Sequence, residues 1–185
     1  IAQLEGPDME IVYELQQVRP RGVPIAGFGG TASGPGPLAT LLSGTSDVLR
    51  QATGRKLTGL EAMEIDHLIA SCVVAGNVRR SARMSMMHWR DPDIFKFINL
   101  KAEGGHWTTN MSVEVDDDFW HSSDSQAQAV FNAIVDGMVK NGEPGIYNSS
   151  LGSVGEEADT RCTNPCGEIT LNEWEPCTLG HVNLA

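Results

Sequence analysis

Residues 164–169 read Asn-Pro-Cys-Gly-Glu-Ile, and residues 175–177 read Glu-Pro-Cys. A proline and a glycine beside Cys166 prevent a helix or a central strand from continuing through it, so this cysteine is predicted to project from a turn. Asn164 and Glu168 flank it two positions away on either side, and Cys177 follows eleven positions later. The pattern predicts a constrained loop that carries sulfur beside an amide and a carboxylate.

These residue types suit catalysis on a small polar substrate. The Glu168 carboxylate can act as general base toward a hydroxyl, and the Asn164 amide can exchange hydrogen bonds with a sugar or a carbonyl. The Cys166 thiol supplies reactive sulfur, and a short constrained loop can hold all three groups at near-attack geometry. On residue chemistry alone, an ordinary turn cysteine is the alternative to a catalytic one.

A second pattern in the same segment competes with the catalytic interpretation. Cys162, Cys166, Cys177 and His181 form a C-x3-C-x10-C-x3-H series, which is close to the spacing of structural zinc sites. A zinc-stabilised structural or binding module is therefore the alternative from another class of function. The metal content of the purified protein distinguishes the two, since only the module requires zinc.

Outside this segment the chain alternates between strand-like and helix-like patterns. Strands are predicted at residues 11–18, 82–87 and 111–115, and helices at residues 38–52, from Thr58 to Gly76, after Asp91-Pro92-Asp93, and from Ala127 to Met138. Thr58 and Glu61 have the spacing of a capping box, and the acidic run at residues 116–118 is predicted to begin a helix, whose dipole favours negative charge there. Strands alternating with helices indicate an α/β architecture with parallel strands.

Composition limits the class of protein. With 185 residues and 41% hydrophobic content, the chain can form a sizeable core. Thirteen basic and 24 acidic residues give a net charge of −11, which argues against a nucleic-acid polymer as partner and favours a small ligand. No apolar run approaches the roughly 18 residues of a membrane span. Four unevenly spaced cysteines suit reduced thiols, so a cytoplasmic protein without membrane contact is expected.

Three other features carry weaker signals. The glycine-rich loop at residues 27–34 departs from the dinucleotide-binding fingerprint at Ala32 and lacks the ending of a P-loop. Arg79 and Arg80 follow a predicted helix, where a solvated pair of charges is the default interpretation. No role is assigned to the histidines for which no acidic residue lies at a persuasive spacing, namely His67, His88, His106 and His121.

Several segments, taken in chain order, resemble the catalytic subunit of ribonucleotide reductase. They are residues 18–22 with 27–34, 72–82, 141–145 and 164–185. The last resembles the finger loop of that family. The type is most similar to the adenosylcobalamin-dependent (class II) reductases, because class I subunits usually carry a different residue before the cysteine and a longer gap to the second one. The alternative is the catalytic subunit of a class I enzyme, which receives its radical from a separate metal-containing subunit.

The resemblance implies a fold and a domain. The family's catalytic domain is a ten-stranded α/β barrel, of which residues 1–185 are expected to form a partial domain: about the first half together with the finger loop at about residues 160–170. No cysteine occurs between Ile1 and Ser71 to partner Cys177. The chain is therefore expected to be an internal segment that needs the remaining barrel segments, and turnover by the segment alone is not expected.

The resemblance also implies a radical mechanism with adenosylcobalamin as cofactor. The cysteine that matches Cys166 becomes a thiyl radical and abstracts the 3′-hydrogen of a ribonucleotide, while the glutamate that matches Glu168 takes the proton of the 3′-hydroxyl. The residue that matches Asn164 orients the sugar. Cys177 matches one member of the cysteine pair that delivers reducing equivalents by forming a disulfide, and a thioredoxin-type reductant restores that pair.

A regulatory site is implied as well. Asn77, Arg79, Arg80 and Ser81 match the loop that contacts the substrate base or a nucleotide effector in the family, and a guanidinium suits phosphate and planar-base recognition. The expected partners are therefore a ribonucleotide substrate, a nucleotide effector, a thioredoxin-type reductant and the remaining barrel segments. No metal site is predicted within the chain.

Overall fold

A computed structural model describes residues 11–27, 29–76, 80–102, 104–156 and 160–184. The chain divides into two compact units. The first, called the helical unit below, comprises Ile1–Ala82 and His106–Thr108. The second, called the sheet unit, comprises Arg83–Gly105 and Thr109–Ala185. No helix among the described residues is both long enough and apolar enough to cross a membrane.

The helical unit contains two packed helices. Helix α1 spans Gly36–Gln51 and helix α2 spans Gly59–Val74, close to the predicted bounds. A glycine-rich loop precedes α1 and contains an isolated antiparallel bridge between Pro24 and Thr31. The strand predicted at residues 11–18 is wrong, because this segment is irregular and ends in a turn. A strand requires a partner strand to satisfy its backbone, and the mixed polar and apolar pattern here has none among the described residues.

The start of α2 confirms the predicted capping box. The Thr58 hydroxyl accepts a hydrogen bond from the Glu61 backbone N–H at 3.2 Å, and the Glu61 carboxylate accepts one from the Thr58 N–H at 2.9 Å. Arg55 adds a bidentate pair to the same carboxylate, at 2.7 and 2.5 Å. The Arg55 hydrogen bonds, followed by the one from the Thr58 backbone, lower the pKa of Glu61 to about 2.

The sheet unit alternates strands and helices. Its elements, in order, are β1 (Met84–His88), α3 (Ile94–Asn99), β2 (Asn110–Val115), α4 (Asp117–His121), α5 (Ser125–Asn141), β3 (Gly145–Asn148), α6 (Ser149–Gly152), β4 (Cys162–Thr163) and β5 (Thr170–Leu171). Strands β1, β2 and β3 form a sheet in that order, and both pairs of neighbouring strands are parallel. The predicted α/β architecture with parallel strands is thereby confirmed.

Three local signals position these helices as predicted. Asp116 caps α4, since its carboxylate accepts a hydrogen bond from the Phe119 backbone N–H at 2.9 Å. Helix α3 follows the Asp91-Pro92-Asp93 run directly. Helix α5 ends at Gly142, whose φ of +84° lies in the left-handed region that favours glycine. Strand β3 was not among the predicted strands, because its four residues are too short to show a period.

The two faces of the parallel sheet differ in chemistry. One face of the sheet packs with helices α3 and α5 to form the core. The fully buried side chains of this core are Trp89, Ile94, Phe97, Val113, Val115, Val130 and Ile134. Successive strand residues alternate between faces. The strand register therefore places a second set of side chains together, here called the polar face: Met84, Met86, His88, Asn110, Ser112, Glu114, Gly145 and Tyr147.

Two histidines have acidic partners that their sequence spacing did not reveal. In the helical unit, His106 Nε2 lies 3.1 Å from Glu64 Oε2, which corrects the expectation for His106. His88 Nε2 lies 3.1 Å from Asp116 Oδ2, and the Trp89 indole donates to Asp116 Oδ1 at 3.0 Å. Burial alone would raise the pKa of Asp116, but the hydrogen bonds from Phe119, Trp89 and His88 outweigh it and hold that pKa below its usual value. The expectation that His88 lacks an acidic partner is corrected, because 28 positions of chain separate two groups that the parallel strands bring together.

Replacing Glu61 with Gln is expected to lower the thermal midpoint at neutral pH, because the ion pair with Arg55 is lost. The lowered pKa means that the carboxylate stabilises the fold fully above its unfolded pKa of roughly 4.3. That contribution is lost as the pH falls through the folded pKa of about 2. The difference in thermal midpoint between Glu61→Gln and the unchanged protein is therefore expected to shrink below about pH 4 and to vanish only near the folded pKa of about 2.

The matched control for this experiment is Asp47→Asn, which removes an exposed ion pair with Arg50 at 3.9 Å. It is expected to leave the midpoint nearly unchanged at every pH, since such surface pairs contribute little. A gap between Glu61→Gln and the unchanged protein that is independent of pH would contradict the assigned role of Glu61.

Candidate active site

The predicted loop around Cys166 is the tip of a short hairpin. Strands β4 and β5 pair antiparallel, with Cys162 opposite Leu171 and Thr163 opposite Thr170. The Asn164 backbone N–H donates to the Ile169 carbonyl at 3.1 Å and closes a loop of residues 164–169. This hairpin lies within the residues 160–170 predicted for the finger loop.

The tip is a tight turn that projects the cysteine outward. The Gly167 N–H donates to the Asn164 carbonyl at 3.0 Å, and Pro165 occupies the second position of the turn, where its fixed φ is favourable. Gly167 has a φ of +86°, which a residue with a side chain adopts only with strain. Cys166 and Glu168 are both exposed, so thiol and carboxylate stand on the same accessible turn.

The buried side chain of Asn164 stabilises this turn through hydrogen bonds. Asn164 is only 3% exposed, and its Oδ1 accepts hydrogen bonds from the backbone N–H groups of Gly167 and Ile169, both at 3.1 Å. Its Nδ2 lies 3.5 Å from the sulfur of Cys177 and donates to it. The amide therefore fixes the loop and brings the second predicted cysteine to the site. Its predicted role in orienting a sugar stays a prediction.

The structure thus brings together the four predicted catalytic residues: Asn164, Cys166, Glu168 and Cys177. Cys177 is exposed and free, and it belongs to a segment after β5 without regular secondary structure. The side-chain contact with Asn164 joins Cys177 to the hairpin.

The zinc alternative is not supported. Among the described residues, no group of three or more His, Cys, Asp or Glu side chains is arranged to hold a metal ion. Cys162 points its sulfur toward the Leu171 carbonyl at 3.7 Å, across the hairpin. Burial, followed by the charges of Glu175 and Glu173, raises the pKa of the Cys162 thiol. Such a shift disfavours the thiolate that a zinc ligand or a nucleophile requires.

The predicted regulatory residues lie in the helical unit. Asn77 and Arg79 fall outside the described residues. Arg80 is exposed and Ser81 is half-buried, and both line a cavity of about 450 Å³ together with Ser71, Val74, Ala75, Ala82 and Trp107. The guanidinium is placed at an accessible cavity, and its predicted contact with a nucleotide stays a prediction.

The hairpin tip and Thr160, which precedes the hairpin, contact opposite ends of the polar face of the sheet. At the carboxyl end of the strands, the Tyr147 hydroxyl lies 2.7 Å from the Thr160 hydroxyl. At the amino end, Asn110 Nδ2 donates to the Pro165 carbonyl at 2.7 Å. Sequence reasoning missed Asn110, because it is 55 positions from the carbonyl that it contacts and only the fold brings the two together.

Replacing Asn164 with Ala is expected to destabilise the sheet unit, because the Ile169 N–H loses its acceptor and the Gly167 N–H keeps only the Asn164 backbone carbonyl. Leaving such groups unpaired costs roughly 1–3 kcal/mol, measurable as a lower denaturant midpoint. Asn164→Asp is the matched control, since it retains Oδ1 and is expected to keep most of the stability. Equal stability of the Ala variant and the unchanged protein would contradict the role of Asn164 in the turn.

The cysteines are expected to differ in reactivity. Because the pKa of Cys162 is raised and its sulfur is only partly exposed, iodoacetamide at about pH 8 is expected to alkylate it more slowly than Cys166 or Cys177. Peptide mass spectrometry at a series of reaction times measures the three rates. Denatured protein serves as the control, where the rates are expected to become similar. A rate at Cys162 equal to that at Cys166 in the folded protein would refute the assignment.

Comparisons with known proteins show similarity to one enzyme family. Residues 3–49 match the family model for the insertion domain of B12-dependent ribonucleotide reductase, so the glycine-rich loop and nearly all of α1 match that domain. A protein of Mycobacterium phage D29 described as an adenosylcobalamin-dependent ribonucleoside-triphosphate reductase is 52% identical over 197 residues, which cover 95% of this chain and 28% of the phage protein.

A bacterial reductase and a crystal structure show similarity to the same kind of enzyme. The adenosylcobalamin-dependent ribonucleoside-triphosphate reductase of Lactobacillus leichmannii is 39% identical over 194 residues, covering 96% of this chain and 25% of the reductase. The crystal structure of a B12-dependent (class II) ribonucleotide reductase matches with a TM-score of 0.67 at 37% identity, over 86% of this chain and 22% of that one. Over nearly its whole length the chain is therefore similar to adenosylcobalamin-dependent ribonucleotide reductases, and it spans about a quarter of the length of these relatives.

Proposed function

We propose that this chain carries the radical-bearing loop of an enzyme that reduces ribonucleotides to deoxyribonucleotides. The observation that carries the proposal is the exposed Cys166 thiol at the tip of a fixed turn, with the Glu168 carboxylate two positions on and Cys177 held at Asn164. Relatives described as ribonucleoside-triphosphate reductases support a triphosphate as substrate.

Three residues of the chain have separate roles in the proposed reaction. Cys166, as a thiyl radical, removes the 3′-hydrogen of the ribose, and the Glu168 carboxylate accepts the proton of the 3′-hydroxyl. Water leaves from the 2′ position. Cys177 and a second cysteine then supply two electrons and two protons as they join in a disulfide, and the 3′-hydrogen returns from Cys166. Substrate and dithiol are thereby converted to deoxyribonucleotide, water and disulfide.

The cofactor proposed for this chemistry is adenosylcobalamin, which supplies the initiating radical by homolysis of its cobalt–carbon bond. The site suits such a source, because the Cys166 thiol is exposed and free and stands on a turn whose backbone is fixed. A thiol that faces across the hairpin and is only partly exposed, like that of Cys162, would be less accessible. No described residue is assigned to holding the cofactor. The class I alternative, with a separate radical-generating subunit, is less well supported, since the relatives above depend on adenosylcobalamin by description.

Three partners follow from the same proposal. A thioredoxin-type protein reduces the disulfide of Cys177, to which the exposed position of this cysteine gives access. A nucleotide effector binds near Arg80 and Ser81, whose cavity has room for a planar base. The remaining barrel segments supply the second cysteine of the redox pair and the closure of the sheet.

Cysteine variants of the full-length protein test the assignment. Cys166→Ser is expected to abolish reduction, because an alcohol O–H bond is much stronger than a thiol S–H bond and the hydroxyl cannot carry the radical. Cys177→Ser leaves hydrogen abstraction intact but removes a reductant, so single-turnover analysis is expected to show abnormal products such as released base. Cys162→Ser is the matched control and is expected to retain normal product formation. Normal deoxyribonucleotide from Cys166→Ser would refute the proposal.

The substitution Glu168→Gln tests whether Glu168 acts as the general base. Glu168→Gln retains the size of the side chain but cannot take a proton, so the rate of reduction is expected to fall by roughly 10²–10⁴-fold. Single-turnover rates with a saturating ribonucleotide measure the effect, and Glu173→Gln, which alters another exposed carboxylate of the same unit, is the control. A Glu168→Gln rate within about threefold of the unchanged protein would exclude proton transfer to Glu168 as a slow step.

A further inference from the structure

Asn110 contacts the peptide unit next to the proposed radical-bearing residue. It is the first residue of β2, and its Nδ2 donates to the Pro165 carbonyl at 2.7 Å. That carbonyl belongs to the peptide bond between Pro165 and Cys166. The contact therefore acts on the orientation of the backbone from which the thiol projects.

The strand gives Asn110 a fixed position. Its backbone N–H donates to the Arg83 carbonyl at 2.9 Å, and its own carbonyl accepts from the Thr109 hydroxyl at 3.0 Å. The next residue, Met111, is 2% exposed in the core, and β2 is paired on both sides. The amide is thus presented to the turn from the central strand of the sheet, where local opening is least favourable.

The turn itself leaves one torsion that this contact restricts. The ring of Pro165 fixes its φ, but its ψ differs between type I and type II turns, both of which keep the Gly167-to-Asn164 hydrogen bond. This ψ sets the direction of the Pro165 carbonyl. The hydrogen bonds from Gly167 and Ile169 to Asn164 restrain the other side of the loop. A hydrogen bond to the Pro165 carbonyl restrains ψ of Pro165 directly, and with it the direction in which Cys166 projects.

A neighbouring contact supports this geometry. A Cβ placed on Gly167 would lie 3.8 Å from Cε of Met84, and Met84 is opposite Asn110 in the strand register. The tip of the hairpin therefore rests on the first residues of β1 and β2 together.

We propose that Asn110 is a positioning residue for the Cys166 thiol, acting through the Pro165 carbonyl. The inference rests on the proposed function, because it assigns Asn110 to the hydrogen transfer of that reaction. Hydrogen transfer depends steeply on the distance and angle between reacting atoms, and a misplacement of about 1 Å can cost about 10²-fold in rate. One hydrogen bond at an exposed side chain contributes little to the fold by comparison.

The test uses Asn110→Asp and Asn110→Ser in the full-length protein loaded with cofactor. The first keeps the shape and replaces the Nδ2 donor with an acceptor, and the second is neutral and too short to reach the carbonyl. Both are expected to lower kcat by roughly 10–100-fold, with KM for the ribonucleotide within about twofold and little change in thermal midpoint. The matched control is Asn99→Asp, which removes a hydrogen bond of the same kind, from Nδ2 to the Phe95 carbonyl at 2.8 Å within α3.

A second readout does not depend on activity. A nitroxide attached to Cys166, with every other cysteine of the full-length protein changed to Ser, including Cys72, Cys162 and Cys177, reports the motion of the turn by electron paramagnetic resonance in the cofactor-free protein. Asn110→Asp is expected to increase the mobility of the label, and Asn99→Asp to leave it unchanged.

The outcomes separate the two proposals. If the unchanged protein forms no deoxyribonucleotide, the proposed function fails, and the label mobility alone then decides whether Asn110 fixes the turn. If the unchanged protein is active, then a kcat of Asn110→Asp and Asn110→Ser within about twofold of it overturns the positioning role. A large loss of thermal stability with kcat retained in the folded fraction, or unchanged label mobility, overturns it as well.

Discussion

The carboxamide of Asn164 is the group on which the site depends. Its oxygen accepts two backbone N–H groups of the loop, and its nitrogen contacts the sulfur of Cys177. Burying an amide is costly unless its hydrogen bonds are satisfied, and here the partners that satisfy it are the loop that carries Cys166 and the second cysteine. One buried polar group therefore sets the shape of the turn and the position of the segment beyond it.

The parallel sheet provides the support for this turn. Because side chains alternate along β2, the same six residues seal an apolar core on one side and offer amide, hydroxyl and carboxylate groups on the other. Residues 160–165 make hydrogen bonds at both ends of the polar face, to Tyr147 near the carboxyl end of the strands and to Asn110 at the amino end. The turn that carries Cys166 is in this way connected to β2, the central strand of the sheet.

Features that depend on neighbouring residues were predictable from the sequence. The capping box at Thr58, the helix stop at Gly142 and the turn at Cys166 each follow from residues a few positions apart. The pairing of His88 with Asp116 and the contact of Asn110 with the hairpin were not predictable, because each joins residues that only the fold brings together. For Asn164 the residue was predicted but its inward orientation was not, since an amide suits a sugar and a backbone equally well.

The register of β2 and β3 also restricts which residues the polar face can accept. Gly145 and Ser112 on that face are in close contact, since a Cβ on Gly145 would lie 2.9 Å from the Ser112 hydroxyl. Any side chain at position 145 would therefore require the Ser112 hydroxyl to move, so the smallest residue of β3 lies where the central strand approaches it most closely.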